Sequence, residues 1–191
     1  QMRSAFGMSE PDVASSDPTN LQTTVRRVGD VLVLHGRKWF ITGAADPRCR
    51  LLIVMARNEG DDTGDPHRQH SMVLVPMDSP GLEVLRNISV VHHHAPEGHC
   101  EIVLRGVRVP AHQLLGGWGE GFAMAQARLG PGRVHHCMRT IGQCELALEM
   151  AAERALERRS FGKYLADQAN VQDWLATSRL EIDQARLLVL Q

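Results

Sequence analysis

Short runs of apolar residues, broken by glycine, proline and polar residues, fill the chain to about residue 115 and predict β-strands. Two of these runs meet at Gly29-Asp30, a pair that is typical of a two-residue hairpin turn. The predicted strands span residues 23–28, 31–36, 51–56, 72–76, 82–85 and 101–110. Several short strands at this spacing indicate a β-barrel or a β-sandwich. A polar, glycine-bearing stretch over 58–69 predicts a mobile loop.

The period of the apolar positions changes at about residue 121, where a helical pattern begins over 122–156. Its apolar stripe consists of Cys137, Ile141, Cys144, Leu148 and Ala152. Gly130-Pro131-Gly132 would normally stop a helix, so we expect a kink or a break there.

A second helix is predicted from about residue 166 to residue 191. Its apolar face consists of Val171, Trp174, Leu175, Ile182, Ala185 and Val189. This helix has no stop signal, so the chain is expected to end inside it. The order of elements predicts an α+β fold, with a β-barrel or β-sandwich domain over 1–118 followed by a helical domain over 119–191. The two long helices are expected to be antiparallel.

Composition limits the partners of the chain. Its 191 residues carry 21 basic and 22 acidic side chains, and this balance argues against nucleic acid or an anionic membrane surface as a partner. The longest apolar runs are shorter than the roughly 18 residues that a membrane span needs. No signal peptide is expected, and cysteines without a CxxC spacing suit a reducing compartment.

Three motifs resemble those of the acyl-CoA dehydrogenase family of flavoproteins. They are the small-residue loop over 6–17, the aromatic-Ile-Thr run over 37–43, and the Arg-x-x-Phe-Gly-Lys motif over 157–163. Residues 13–17, 70–77 and 128–139 are most similar to the subgroup that in animals is often fused to kinase-like domains. The resemblance implies the family's middle β-barrel domain over 1–118 and the first half of its C-terminal helical domain over 119–191, so that the chain begins and ends inside the family's pattern.

The resemblance implies FAD as the cofactor. In the family, the loop that matches Phe6, Met8 and Ser9 contacts the flavin ring, and the Ser9 hydroxyl would bond the ring edge. Phe40 takes the place of the aromatic residue that packs on the flavin, and Thr42 takes the place of the hydroxyl near flavin N5. Without the resemblance, these two segments would be interpreted as a turn followed by a core strand.

The resemblance also assigns residues to a neighbouring subunit's FAD. Arg158 and Phe161 match the family residues that reach this FAD. An arginine suits that place, because its guanidinium fork can bond two pyrophosphate oxygens at once. This implies a homodimer or homotetramer. Without the resemblance, Arg158 would be a solvated helix end. A family glutamine that touches the same FAD is replaced by Ala169, with Gln168 adjacent and Gln172 one turn on.

Substrate binding is assigned to Ser15 and Ser16, which match the family serine that bonds the CoA arm of the thioester. Counting back from Asp17 favours Ser16, since the loop is one residue longer than the commoner form. A turn-capping serine pair is the alternative. Glu10 and Asp17 are interpreted as structural carboxylates.

The implied reaction is α,β-dehydrogenation of an acyl-CoA thioester, with electrons passed to an electron-transfer flavoprotein. The catalytic base is not identified, because Gly132 stands at one of the two family positions and the other lies beyond Gln191. These 191 residues alone are therefore expected to be inert, with Glu10, Asp17 and Glu120 as the carboxylates to examine if they are not. The alternatives are a non-catalytic acyl-CoA-binding homologue and a flavin-dependent oxidase or monooxygenase.

Two further expectations concern metals and compartment. The histidine runs at 92–94 and 135–136 are not expected to bind a metal, because consecutive residues of a strand point to opposite faces. The protein is expected to be cytoplasmic if bacterial, and mitochondrial or peroxisomal if eukaryotic.

Overall fold

The computed structural model describes residues 1–60 and 64–191, which form two compact units, Gln1–Gln126 and Ala127–Gln191. Of the loop predicted over 58–69, residues 61–63 lie outside the described part of the chain.

The first unit is built on a mixed sheet of eight strands. The strands are β1 (Arg3–Gly7), β2 (Thr24–Val28), β3 (Val31–Thr42), β4 (Cys49–Asn58), β5 (His70–Pro76), β6 (Leu82–Asn87), β7 (His99–Pro110) and β8 (Leu114–Leu115). Their order is β6-β7-β3-β2-β4-β5-β8, and β1 pairs with β4. Most pairs are antiparallel, whereas β1 and β2 both run parallel to β4.

The alternation of apolar residues explains how the sheet encloses a core. Inward-facing side chains from six of the strands, β1 to β5 and β7, and from the loop after β3 form one continuous apolar cluster, and fully buried examples are Val25, Leu34, Leu52 and Val107. The β2–β3 hairpin turns at Gly29, whose positive φ of 60° suits glycine, and pairs Val28 with Val31. The hairpin prediction is confirmed.

Strand β1 is absent from the sequence prediction, which treated Phe6 and Gly7 as part of a loop. That interpretation is wrong, because Phe6 pairs with Ile53 and Gly7 with Val54 of β4. The loop begins only after Gly7. A single short strand next to a turn-rich segment carries too few residues to show alternation, and its pairing partner lies far along the chain.

The second unit contains most of helix α1 (Gly121–Glu157), the short strands β9 (Arg159–Ser160) and β10 (Lys163–Tyr164), and helix α2 (Ala169–Leu190). Arg179 Nη1 donates to Glu145 Oε2 at 2.6 Å, and Arg186 also contacts Glu145. Ile141 lines a groove with Ala185, while residues near the end of α1 line a groove with the start of α2. The two helices are therefore antiparallel.

Pro131 does not interrupt α1, which continues from Gly121 to Glu157. The predicted break is wrong. Pro131 has no N–H for the carbonyl four residues earlier, but Gly130 and Gly132 carry no side chains, and a Cβ at either position would meet no atom within 4 Å. The two neighbouring residues therefore add no side-chain crowding around the ring.

These elements confirm the predicted α+β class, with a β domain followed by long antiparallel helices. Within the described residues, neither helix combines the length and the apolar character that a bilayer crossing requires.

Candidate functional site

The site begins with a bulge in β3. Pairing with β7 shifts between Lys38 and Ile41, so that Trp39 and Phe40 together oppose Glu101. Phe40 has a φ of 52°, which is strained for a bulky residue. A bulge re-aims the side chains next to it. Here Phe40 remains 42% exposed, whereas Ile41 is buried.

Phe40 and Thr42 lie on the outward face of β3, with Ile41 pointing into the core between them. Trp39 packs edge-to-face against Phe40, with ring centroids 4.8 Å apart. The Thr42 Oγ1 lies 2.9 Å from Nδ1 of His99, its cross-strand partner on β7. An accessible aromatic ring and a hydroxyl therefore occupy the same surface.

The first sequence motif lies directly against this bulge. The Trp39 N–H donates to the Ser9 carbonyl at 3.0 Å, and Lys38 Nζ donates to the Met8 carbonyl at 3.0 Å. Met8 and Ser9 are half-buried. The structure thus brings together Met8, Ser9 and Phe40, which sequence reasoning assigned to one ring site although about thirty residues separate them.

A buried ion pair holds the two segments. Lys38 Nζ donates to Glu10 Oε1 at 2.7 Å, and both side chains are almost fully buried. The other acceptor positions of Glu10 receive the Thr23 N–H at 3.0 Å and the Gln22 N–H at 2.7 Å. A buried carboxylate and ammonium with these partners are satisfied on both sides, as burial of charge requires.

Burial and the charge of the partner shift the pKa values of Lys38 and Glu10 in opposite directions. Burial lowers the pKa of Lys38 to about 8, against the Glu10 charge, which raises it. Burial would raise the pKa of Glu10, but the Lys38 charge and the hydrogen bonds from Lys38, Thr23 and Gln22 lower it. Glu10 is therefore a structural carboxylate, as the sequence predicted, rather than a free base.

Sequence reasoning missed Lys38 as the partner of Glu10. A usable signal existed, because Leu32, Leu34 and Lys38 are even-numbered positions of one strand, and the first two are typical core residues. A lysine that alternation places inward needs a buried carboxylate.

His70 is a second buried titratable group in this unit. Burial lowers its pKa, with further lowering from Lys38 and Arg57, while the Pro66 carbonyl and Glu10 raise it. Sequence reasoning gave His70 no role.

The predicted substrate serines lie in an exposed turn. The Asp17 N–H donates to the Ala14 carbonyl at 2.9 Å, and Ser15 and Ser16 form the exposed middle of this turn. Asp17 caps the next short helix by accepting from the Thr19 N–H at 3.2 Å and from Asn20 Nδ2 at 2.6 Å. This confirms the structural interpretation of Asp17. Both serine residues are exposed.

Arg158 and Phe161 belong to the second unit. Arg158 follows the last residue of α1 and is exposed. Phe161 is 99% exposed and has a φ of 52° at the turn between β9 and β10. An apolar ring left in water at a strained position is available to a ligand or another subunit.

Four further residues concern the predictions made for the helical part of the chain. Gly132 lies within α1 with open space around it. Ala169 is the first residue of α2, and Gln172 Nε2 donates to the Ala166 carbonyl at 2.7 Å. Glu120 accepts the Gly117 N–H at 2.7 Å, beside the start of α1. Within residues 1–60 and 64–191, no three histidine, cysteine or acidic side chains converge on a metal position.

The residues of the first unit fit a flavin ring. Phe40 offers an accessible aromatic face, Met8 and Phe6 are partly buried apolar side chains, and Ser9 and Thr42 carry hydroxyls. A flat ring with apolar faces and hydrogen-bonding edges needs apolar side chains against its faces and hydroxyls at its edge. The arrangement therefore suits binding and orientation of such a ring.

Comparison with protein families agrees with the motifs. Residues 5–107 match the family described as "Acyl-CoA dehydrogenase, middle domain", and residues 119–191 match "Acyl-CoA dehydrogenase, C-terminal domain".

Individual relatives show the same resemblance. The chain is 55% identical over 188 residues to "Probable acyl-CoA dehydrogenase FadE2" of Mycobacterium tuberculosis, covering 98% of this chain and 46% of the relative. It is 46% identical to "Acyl-CoA dehydrogenase family member 11" of Gallus gallus, covering 100% of this chain and 25% of the relative. The chain thus spans about half or less of these relatives.

Solved structures share the fold. A glutaryl-CoA dehydrogenase of Mycobacterium smegmatis, solved in complex with FADH2, has a TM-score of 0.80 and 27% identity, covering 97% of this chain and 45% of that chain.

Proposed function

Because the chain belongs to the acyl-CoA dehydrogenase family, we propose that it supplies the flavin-ring site of a protein that uses FAD to dehydrogenate acyl-CoA thioesters. The observation that carries this proposal is the outward face of β3. Phe40 and Thr42 stand there, the neighbouring Trp39 N–H bonds the Ser9 carbonyl, and the Lys38–Glu10 pair holds the two segments together. When bound, FAD would supply the hydride acceptor.

In this proposal, Phe6, Met8 and Phe40 bind the ring, while Ser9 and Thr42 hydrogen-bond its edge. These side chains also exclude water from the ring, which strengthens electrostatic interactions beside it. Ser15 and Ser16 hydrogen-bond the CoA arm, with Ser16 favoured by its spacing from Asp17. Support for the serines comes from their exposure and from the motif.

Arg158 and Phe161 would serve the FAD of a neighbouring subunit, so the active form would be a homodimer or homotetramer. Their exposure supports this assignment, because both side chains are available for contact outside their own unit. Electrons would leave for an electron-transfer flavoprotein.

The base that removes the α-proton is proposed to come from the remainder of the full-length protein. Gly132 carries no side chain to take a proton. Glu10 is held by Lys38, Asp17 caps a helix, and Glu120 accepts a backbone N–H. Each of these three carboxylates is thus engaged in a structural hydrogen bond.

The proposal is tested by recording the visible absorbance spectrum of the full-length protein, purified with FAD, under anaerobic conditions. Addition of acyl-CoAs of different chain lengths is expected to bleach the flavin, and an electron-transfer flavoprotein is expected to restore it. Binding of acyl-CoA without bleaching would favour a non-catalytic homologue. In a separate aerobic assay, oxygen consumption with a substrate that lacks CoA would favour an oxidase or monooxygenase.

A further inference from the structure

The Thr42 hydroxyl has a defined partner within the chain. Thr42 and His99 are directly opposite each other on β3 and β7, and Thr42 Oγ1 lies 2.9 Å from His99 Nδ1. Opposed residues on one face of an antiparallel pair interact through their side chains. The contact joins positions 57 residues apart.

The backbone fixes His99 firmly. Its N–H donates to Asn87 Oδ1 at 2.8 Å, and its carbonyl accepts the Ile88 N–H at 2.9 Å. Just before it, the Gly98 carbonyl accepts the Gly43 N–H at 3.0 Å. Gly98 has a φ of 77°, and a Cβ there would lie 2.7 Å from the Ala45 Cβ. The imidazole therefore stands on a segment with little freedom to shift.

A threonine hydroxyl carries one proton, and this limits what it offers a ligand. If Thr42 donates that proton to His99 Nδ1, its oxygen can only accept from a ligand. If Nδ1 carries a proton, His99 donates to Oγ1, and the hydroxyl proton is free to reach a ligand acceptor. The hydrogen-bonding role of Thr42 thus depends on His99.

We propose that His99 is a positioning residue for the flavin site, which orients the Thr42 hydroxyl toward the ring edge. This inference rests on the proposed function, because FAD is the ligand that Thr42 would meet. His99 itself acts through Thr42 and need not touch the cofactor.

The test is a double-mutant cycle on FAD affinity, measured by titrating FAD into the deflavinated full-length protein. His99→Phe is expected to weaken FAD binding roughly 2- to 10-fold, the effect of one hydrogen bond. In the Thr42→Val background, His99→Phe is expected to change nothing further. His99→Asn places a polar atom near the position of Nδ1 and should restore affinity to within about twofold of the wild type.

His35 provides a matched control on the same strand pair. It is exposed, and its Nδ1 accepts the Gly106 N–H at 3.1 Å, away from Thr42. His35→Phe is expected to leave FAD affinity unchanged. The proposal would be overturned if His99→Phe weakened FAD affinity equally in the wild-type and Thr42→Val backgrounds, or if it did not weaken FAD affinity at all. Failure of the wild type to bind FAD would instead overturn the proposed function, and this inference with it.

If His99→Phe does not fold, the contact between His99 and Thr42 can still be tested by NMR without FAD. The ¹⁵N chemical shift of His99 Nδ1 is expected to differ between wild type and Thr42→Val, because that nitrogen loses its hydrogen-bond partner. Identical shifts would overturn the proposal.

Discussion

Lys38 and Glu10 form a buried ion pair, with 2.7 Å between Nζ and Oε1, that connects β3 to the segment after β1. The same ammonium donates to the Met8 carbonyl. Lys38 thus holds Met8, and the neighbouring Trp39 N–H holds Ser9, next to the Phe40 bulge.

Removal of one partner of this pair is expected to destabilise the fold strongly. Lys38→Met leaves the Glu10 carboxylate buried without its counter-charge, which costs about 3–5 kcal/mol in the free energy of unfolding. The double variant Lys38→Met/Glu10→Gln should recover much of the loss, because no buried charge remains. Urea denaturation checks both. The exposed pair Arg105–Glu83 is the control, and its disruption should have a much smaller effect.

Stability is expected to fall below pH 6.5 because of His70. Burial holds its folded-state pKa below the ordinary value, so the unfolded chain binds the proton more readily as pH falls. Stability is thus greatest above the unfolded pKa and declines as pH drops from about 6.5 toward the folded pKa. Thermal unfolding between pH 7.5 and 5 measures this decline. It should be reduced in His70→Phe and retained when the exposed His112 is replaced by alanine.

Gly142 weakens α1 without a structural reason. A Cβ at this position would meet no atom within 4 Å, so Gly142→Ala should raise the free energy of unfolding by about 0.5–1 kcal/mol. Gly98→Ala is the contrasting variant, because its φ and its close approach to Ala45 make it destabilising. Denaturation followed by far-ultraviolet circular dichroism compares the two. A destabilised Gly142→Ala would contradict the open environment described for this helix.

Arg158→Ala is expected to weaken FAD retention by about tenfold or more if the guanidinium meets an FAD pyrophosphate at a subunit interface. Flavin content after gel filtration measures retention. Arg154→Ala is the matched control, because Arg154 is an exposed arginine near the same helix end with an ion pair to Glu157. A flavin-loaded, active monomer in sedimentation would rule out the intersubunit role.

Local patterns predicted most of the fold. Alternating apolar residues identified β2 to β7, and the turn at Gly29 identified the hairpin. The facing stripes of α1 and α2 also follow from sequence, since Ile141 and Ala185 line one groove. Each of these signals lies within one continuous segment of fewer than twenty residues.

The parts that sequence did not predict depend on distant partners. β1 exists because β4 lies beside it, and Glu10 is a structural group because Lys38 reaches it. The contact of Thr42 with His99 likewise needs the β3–β7 register, including the bulge at Phe40. Propensity alone misjudged Pro131, since the helix continues through it from Gly121 to Glu157.

FAD titration of the deflavinated full-length protein tests the central claim, that the outward face of β3 binds the flavin ring. The wild type is expected to reach saturation with FAD. Phe40→Ala is expected to bind FAD about tenfold more weakly, because the stacking contact is lost. Val28→Ala, at a similarly exposed apolar position on β2, should bind FAD like the wild type. Equal affinity of Phe40→Ala and wild type, or no binding of FAD to either, would contradict the account.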